Sequence, residues 1–308
     1  MFRADGGARL RALALGSGGG GGVPQWNCRC RVCALAWAGD ARVKPRTQSS
    51  LAVSADNETW FLLNASIDLR QQILATPALQ PKKPGRHSPI AAVLLTNADV
   101  DHAAGLLALR ERQPFTLWGT RATLDTIGAN RIFDVVAHDL VARRSVELGQ
   151  AFEPLPGLTV ELFPVPGKIP LWLEHGDVKT DALGEQTVGV TVAAAGRRLV
   201  YAPGCARATD DLHGRIAQAH ALFFDGTLFT DDEMIVNGLG EKTGRRMGHM
   251  PISGPDGTLE ALARHAPVRR IFTHINNSNP ILIEGSPEEA KVKAAGWEIA
   301  CDGMEVAL

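Results

Sequence analysis

The sequence predicts an α/β protein made of two β-sheets covered by helices and folded as one domain. Three observations predict it. Short apolar runs recur along the whole chain, each closed by a polar or glycine-bearing segment, as strands are. Helix-like stretches are fewer than these runs and lie irregularly among them, which does not fit a strict β–α–β alternation. No Pro/Ser-rich linker divides the 308 residues, and no period of about 20–50 residues repeats, so separate modules and solenoids are excluded.

The first strand is expected at residues 10–15. It runs into residues 16–22, six glycines and one serine. Such a run reads either as a flexible linker or as a loop whose backbone passes close to a neighbour. The second reading is preferred because residues 23–28 lead straight into a cysteine cluster. No Lys-Ser/Thr pair follows, so it is not a phosphate loop. Further strands are expected at residues 50–53, 59–63, 91–95, 115–118, 158–165, 188–193, 199–202, 221–224, 270–273 and 297–300. Helices are expected at residues 68–74, 103–112, 122–130, 212–218, 257–265 and 286–295. Ser286 then serves as N-cap of the last, with Pro287 as its first helical residue.

Forty-five per cent hydrophobic and 21% charged residues suit a soluble globular protein with an ample core. A formal net charge of -1 gives no footprint for nucleic acid or an anionic membrane surface. No apolar run approaches the ~20 residues that span a bilayer. Arg3, Arg9 and Arg11 precede or interrupt the first apolar stretch, which ends in glycines, so the N-terminus does not read as a secretory signal. The expected location is the cytoplasm.

Three of the five cysteines, Cys28, Cys30 and Cys33, fall within six residues. In a reducing compartment such clustering favours metal over disulfide. Thiolates are soft donors that suit zinc, and three can occupy three corners of a tetrahedron. Arg29 and Arg31 would offset their charge. A structural zinc site in this N-terminal segment is expected, with Asn277 or a histidine as the fourth ligand.

The apolar run 91–95 stops in Thr96-Asn97-Ala98-Asp99-Val100-Asp101-His102. An Asp there can simply cap the following helix. A second strand, however, also ends in a histidine, in Phe272-Thr273-His274-Ile275-Asn276-Asn277. Two strand ends that both deliver ligands look like the rim of one site. Asp101, His102 and His274 make two histidines and one carboxylate, the ligand set of mononuclear non-haem Fe(II) sites with open positions for oxygen and substrate. Asp225 ends another strand and is read as orienting or supplementing these ligands. His249 stands in a glycine-rich loop, where an imidazole, which titrates near neutrality, can shuttle protons. The remaining histidines are read as surface or structural.

The loop around Asp101 resembles the His-x-His-x-Asp-His motif of the metallo-β-lactamase superfamily, with Asn97 and Asp99 in place of the two leading histidines. Across nearly the whole chain, Pro24-Gln25-Trp26-Asn27-Cys28, Arg46-Thr47-Gln48-Ser49-Ser50, Tyr201-Ala202-Pro203-Gly204, Met247-Gly248-His249, His274-Ile275-Asn276-Asn277 and Asp302-Gly303-Met304-Glu305 resemble the pyrroloquinoline quinone (PQQ) biosynthesis protein B family. That resemblance implies a metallo-β-lactamase-like αββα sandwich over residues 1–308 with a CxCxxC zinc segment. It also implies an Fe(II)- and O2-dependent hydroxylase acting on the tyrosine-derived ring of a cross-linked Glu-Tyr intermediate of PQQ. Expected partners are this small-molecule precursor and other PQQ biosynthesis proteins, and a homodimer is compatible with the sequence. Compared with superfamily hydrolases, Gly204 stands where a metal-bridging Asp is found, Gly167 near a third His, and Asn64 for an Asp that supports the metal loop. One metal is therefore expected rather than two. The competing readings are a zinc-dependent hydrolase with a reduced site and a non-catalytic carrier of PQQ.

Overall fold

The structure, a computed structural model, describes residues 9–308. Arg3, one of the residues behind the N-terminal reading, lies outside them, as do the first eight residues of the expected domain.

Among the described residues, fourteen strands form two seven-stranded sheets. The first sheet takes β1 (Arg11–Gly16), β2 (Ser50–Ser54), β3 (Trp60–Leu63), β4 (Ile90–Leu94), β5 (Phe115–Gly119) and β6 (Val141–Ser145). The second takes β7 (Ala151–Leu155), β8 (Leu158–Pro164), β9 (Val188–Ala194), β10 (Arg197–Ala202), β11 (Ala221–Asp225), β12 (Arg269–Thr273) and β13 (Trp297–Ile299). The chain then returns to the first sheet as β14 (Glu305–Ala307). The orders are β14-β1-β2-β3-β4-β5-β6 and β13-β12-β11-β10-β9-β8-β7. Each sheet is antiparallel over one part and parallel over the other, with β3 to β6 and β10 to β13 running parallel.

The two-residue period of a strand sorts its side chains between two cores. Phe61 and Leu63 of β3 join Val190, Tyr201 and Phe223 of the other sheet in a core between the sheets. Trp60 and Leu62 face outward onto Leu69, Leu106 and Ile127 from the covering helices. On the second sheet Val200, Leu222, Phe224 and Phe272 face Leu212, Ile216, Leu262 and Val292 of the other helical layer. Both faces of these strands are thus buried, and they read in sequence as continuous apolar runs rather than alternations. The layers are helices, sheet, sheet, helices, as the sequence led us to expect.

Three strands were not expected: β6, β7 and β14. Their burial alternates or is slight, and they carry charged or proline residues such as Arg143, Arg144, Glu153 and Pro154. The helix expected at residues 103–112 is instead a short α-helix, Val100–Ala103, followed by a 3-10 segment, Ala104–Leu109. Gly105 explains the break: a Cβ there would lie 2.0 Å from the Ser66 carbonyl oxygen, so backbone passes over backbone at this point. The helix expected at residues 257–265 likewise divides into Thr258–Ala261 and Ala263–His265. The helix Arg31–Trp37 was not foreseen. Ser286 and Pro287 take the expected places, with the Ser286 hydroxyl accepting from the Glu289 N–H at 3.0 Å. Among the described residues, no helix is long and apolar enough to cross a membrane.

Candidate metal centre

Parallel strands of an open α/β sheet present their ligands beyond their carboxyl ends, and the site is built there. The loop after β4 carries Asp101 and His102, β11 ends in Asp225, and β12 is followed by His274. Asp101, His102 and His274 come together as one group of metal-ligating atoms, all within 4.8 Å of one another. His274 Nε2 lies 3.1 Å from Asp101 Oδ2, and His102 Nε2 lies 3.7 Å from the same oxygen. Two donors each ~2.1 Å from a shared ion stand about 3 Å apart, so the spacing fits one cation.

The backbone aims His274. It adopts φ +54°, a left-handed conformation that costs a non-glycine residue energy and persists only where its surroundings hold it. Here they do. Asn276 N–H donates to the Thr227 carbonyl at 3.0 Å, and Ile275 N–H donates to the Ser17 carbonyl at 2.9 Å. Gly19 packs against the ring: a Cβ there would meet His274 Nδ1 and Cε1 at 3.2 Å. The glycine run is therefore a loop in close contact with a site residue, as preferred from the sequence, and not a linker.

The far nitrogens of the rings have their own partners, which set the tautomers. His274 Nδ1 lies 2.9 Å from Thr227 Oγ1, whose own proton goes to Asp225 Oδ1 at 2.7 Å. The proton on His274 is thereby held at Nδ1, leaving Nε2 for a cation. His102 Nδ1 accepts from the Asn64 amide nitrogen at 2.9 Å, with Thr96 Oγ1 at 3.3 Å; Asn64 is itself oriented by Thr96 N–H, which donates to its Oδ1 at 2.8 Å. Burial holds His102 down to about 4 despite the neighbouring Asp101, so it stays neutral, as a ligand must. Burial works against the charge on Asp101 too, yet the His102 and His274 imidazoles outweigh it and hold the carboxyl well below the usual range. His274 is pushed the other way: burial lowers it, but the bond to Asp101 prevails and raises it.

Asp225, His249 and His274 form a second group of metal-ligating atoms, sharing His274 with the first. Asp225 is fully buried and already saturated. It accepts from Cys205 N at 2.9 Å, Thr227 N at 3.0 Å, Thr227 Oγ1 at 2.7 Å and His249 Nδ1 at 2.7 Å. Burial raises its pKa, but the charge and hydrogen bond of His249 bring it down overall. The geometry is that of a carboxylate orienting an imidazole. It leaves His249 Nε2 free, on a side chain that lines the cavity and stacks on His274 at 5.2 Å between ring centroids.

The positions read as vacated are empty of ligands in three dimensions. Asn97 Oδ1 turns back to accept from Asp99 N at 2.9 Å. A Cβ at Gly167 would lie 2.5 Å from Thr187 Oγ1, and one at Gly204 would lie 3.4 Å from His249 Cε1. Asp99 lines the cavity but is absent from both groups, and its Oδ1 accepts from Leu171 N at 2.8 Å. Burial, with the charge of Asp101 beside it, raises its pKa.

The third group is Cys28, Cys30 and Cys33. Cys30 caps the helix Arg31–Trp37, its sulfur accepting from Cys33 N at 3.5 Å, which turns the third thiol back toward the first two. The Asn277 amide sits over all three sulfurs, with Nδ2 at 3.1, 3.7 and 3.3 Å from Cys28, Cys30 and Cys33. Among the described residues the side chain over the three sulfurs is Asn277, and no histidine joins the group. Burial pushes the Cys30 thiol up to about 12, as expected of clustered thiols without a cation.

Sequence reasoning missed Thr227, which joins His274, His249 and Asp225 through one hydroxyl. The segment Phe224-Asp225-Gly226-Thr227 drew attention to its acid, and nothing local marks the threonine. It also missed the cluster of Lys168, Glu174, Lys242 and Arg246 at a cavity of about 550 Å3 that includes the three ligands.

Comparisons with known proteins bear on the fold and the family. A model described as the beta-lactamase superfamily domain matches residues 59–275. The chain is 61% identical over 299 residues to "Coenzyme PQQ synthesis protein B" of Methylobacterium nodulans, covering 97% of this chain and all of that one. The protein of the same name from Rhizobium meliloti is 54% identical, with 97% and 98% covered. The crystal structure of Zn(2+)-bound PqqB from Methylobacterium extorquens superposes with a TM-score of 0.94 at 57% identity, covering 97% of this chain and 100% of that one. A diphosphatase of the PhnP family shares the fold alone, at 20% identity and a TM-score of 0.67 over 97% of each chain.

Proposed function

The chain belongs to the coenzyme PQQ synthesis protein B family of the beta-lactamase superfamily, and from that premise we propose that it acts in PQQ biosynthesis as a non-haem Fe(II)- and O2-dependent hydroxylase of the tyrosine-derived ring of the cross-linked Glu-Tyr intermediate. One observation carries this reading: Asp101, His102 and His274 form a single buried two-histidine, one-carboxylate set, while the carboxylate that would complete a second site, Asp225, is saturated by hydrogen bonds. A binuclear hydrolase needs two ions to hold its water, and this chain supplies free donors for one. Fe(II), when bound, supplies the redox chemistry that activates oxygen, which zinc lacks.

The chain's own residues do the rest. Asp101, His102 and His274 would hold the ion, with Thr227 orienting the His274 ring and Asn64 the His102 ring. The cavity of about 550 Å3 has room for a ligand of two fused or linked amino-acid units. His249 Nε2, poised by Asp225 at its Nδ1, gives or takes the phenolic proton. Cys28, Cys30, Cys33 and Asn277 hold a structural zinc, in keeping with the zinc-bound relative.

The test is anaerobic reconstitution with Fe(II), then addition of the Glu-Tyr intermediate, ascorbate as the external two-electron donor that hydroxylation by O2 requires, and labelled oxygen gas. Label in the hydroxylated ring is expected, with zinc-loaded protein inactive. Turnover with zinc and no oxygen would replace this reading with a hydrolase. Tight PQQ binding with no turnover under any of these conditions would replace it with a carrier.

A further inference from the structure

The cavity that holds the three ligands has a cationic wall which the chemistry above does not use. Lys168 and Lys242 both line it. Their ammonium groups converge on one carboxylate, Glu174, at 2.9 Å each, and Arg246 approaches the same carboxylate at 3.4 Å. Within this cluster three cations face one carboxylate. Asp99, which feels the charge of Lys168 and accepts from Leu171 N–H, and Asp101, engaged by the imidazoles, make no ion pair with the cluster among the described residues. Glu241 lines the cavity as well, without an ion pair to the cluster among the described residues.

The cluster is built rather than incidental. Glu174 is 9% exposed and Lys168 11%, a depth at which charged groups persist only with partners. Burial works against the charge on Glu174, yet the bonds from Lys168 and Lys242 prevail and bring its pKa down to about 2. The loop that bears Lys168 and Glu174 is latched to the metal loop, with Leu171 N donating to Asp99 and Trp172 Nε1 to the Ala98 carbonyl at 3.3 Å. Donors remain unspent. An ammonium has three N–H groups, and Lys242 spends one, on Glu174. Arg246 Nη1 is buried with no partner at all. Cationic donors fixed in advance and left unspent make an anion subsite whose ordering cost is already met.

We propose that Lys168 and Lys242, braced by Glu174 and Arg246, bind the carboxylates of the substrate and so orient its ring toward Asp101, His102 and His274. The choice of carboxylate over phosphate rests on the function proposed above, since a glutamate–tyrosine unit carries several carboxylates and no phosphate. Lys168 and Lys242 are binding residues on this account, while Glu174 and Arg246 position them.

PQQ itself, titrated into zinc-loaded and therefore redox-silent protein by calorimetry, tests the subsite. The Lys242→Met and Lys168→Met variants should each weaken binding about tenfold. Lys168→Arg should recover part of the loss, and the trimethyl ester of PQQ should bind all variants alike. In turnover KM should rise far more than kcat falls. Metal content by plasma emission should match the wild type, which separates a binding effect from a collapsed site. Unchanged PQQ affinity in both methionine variants overturns the subsite, as does failure of the wild type to bind PQQ. Displacement of PQQ by equimolar inorganic phosphate overturns the preference for carboxylate. Lysine-dependent binding without iron- and oxygen-dependent turnover leaves the subsite standing and overturns the hydroxylase instead.

Discussion

One hydroxyl group joins most of the site. Thr227 Oγ1 takes the proton of His274 and gives its own to Asp225, which in turn holds His249. The Thr227→Val change keeps the shape and removes the relay, so His274 Nδ1–H loses its acceptor. Iron affinity should fall roughly 10- to 100-fold, as it does when such outer partners are lost, measured by competition with a chromophoric chelator. An unchanged affinity would mean that the tautomer of His274 is fixed by something else. His249 is predicted to behave differently. Its Nδ1 is taken by Asp225 and its Nε2 faces the cavity, so His249→Ala should lower kcat on the order of 10²-fold or more while iron still binds at wild-type stoichiometry. Loss of most bound iron would make His249 a ligand.

At the scale of elements, the segment after β12 serves both metal groups. His274 faces the cavity, and three residues on Asn277 lies over the thiols. Replacing Cys30 with Ser should therefore lower zinc content and melting temperature, and iron occupancy should fall in the same variant. A variant that loses zinc yet keeps its melting temperature would rule out a structural zinc. Gly19→Ala tests the other side of the segment. Its methyl would press on the His274 ring at 3.2 Å and the His274 carbonyl at 3.1 Å, so iron affinity should drop with only a modest loss of stability, of order 1–3 kcal/mol, read from denaturant melts. The strand ends that carry these ligands were legible in the sequence because both faces of their strands are buried, which writes an apolar run that stops sharply at a polar loop. The edge strands β6, β7 and β14 were not legible, since little of their surface is covered and their composition follows solvent. Ligand residues announce themselves by type. Thr227, Lys168 and Glu174 do not, because their roles depend on partners far away along the chain.

The whole molecule separates what folds it from what it does. The three hydrophobic cores are built from the strands and their covering helices, with Cys30 of the thiol group packed at the margin of one. Removing iron by a mild chelator, with the cysteine metal left in place, should therefore leave far-UV circular dichroism unchanged and thermal unfolding cooperative. A broad, non-cooperative melt would show that the cation at Asp101, His102 and His274 helps to hold the sheets together. The layered order was readable in the sequence from the number and spacing of apolar runs. That the two sheets mirror one another in strand order was not, because pairing between strands distant in the chain leaves no mark on either alone.

The distance along the chain between the ligands has a consequence for the timing of assembly. Asp101 and His274 are 173 residues apart, and the thiols at positions 28–33 wait longer, 244 to 249 residues, for Asn277. A growing chain emerging from the ribosome would thus expose an incomplete set at each centre for most of its synthesis. Neither centre can close until β12 has joined its sheet. Redox-active iron would then enter only after the cavity that contains its chemistry exists, and a chain stalled before His274 would carry no oxidant to damage itself or its neighbours.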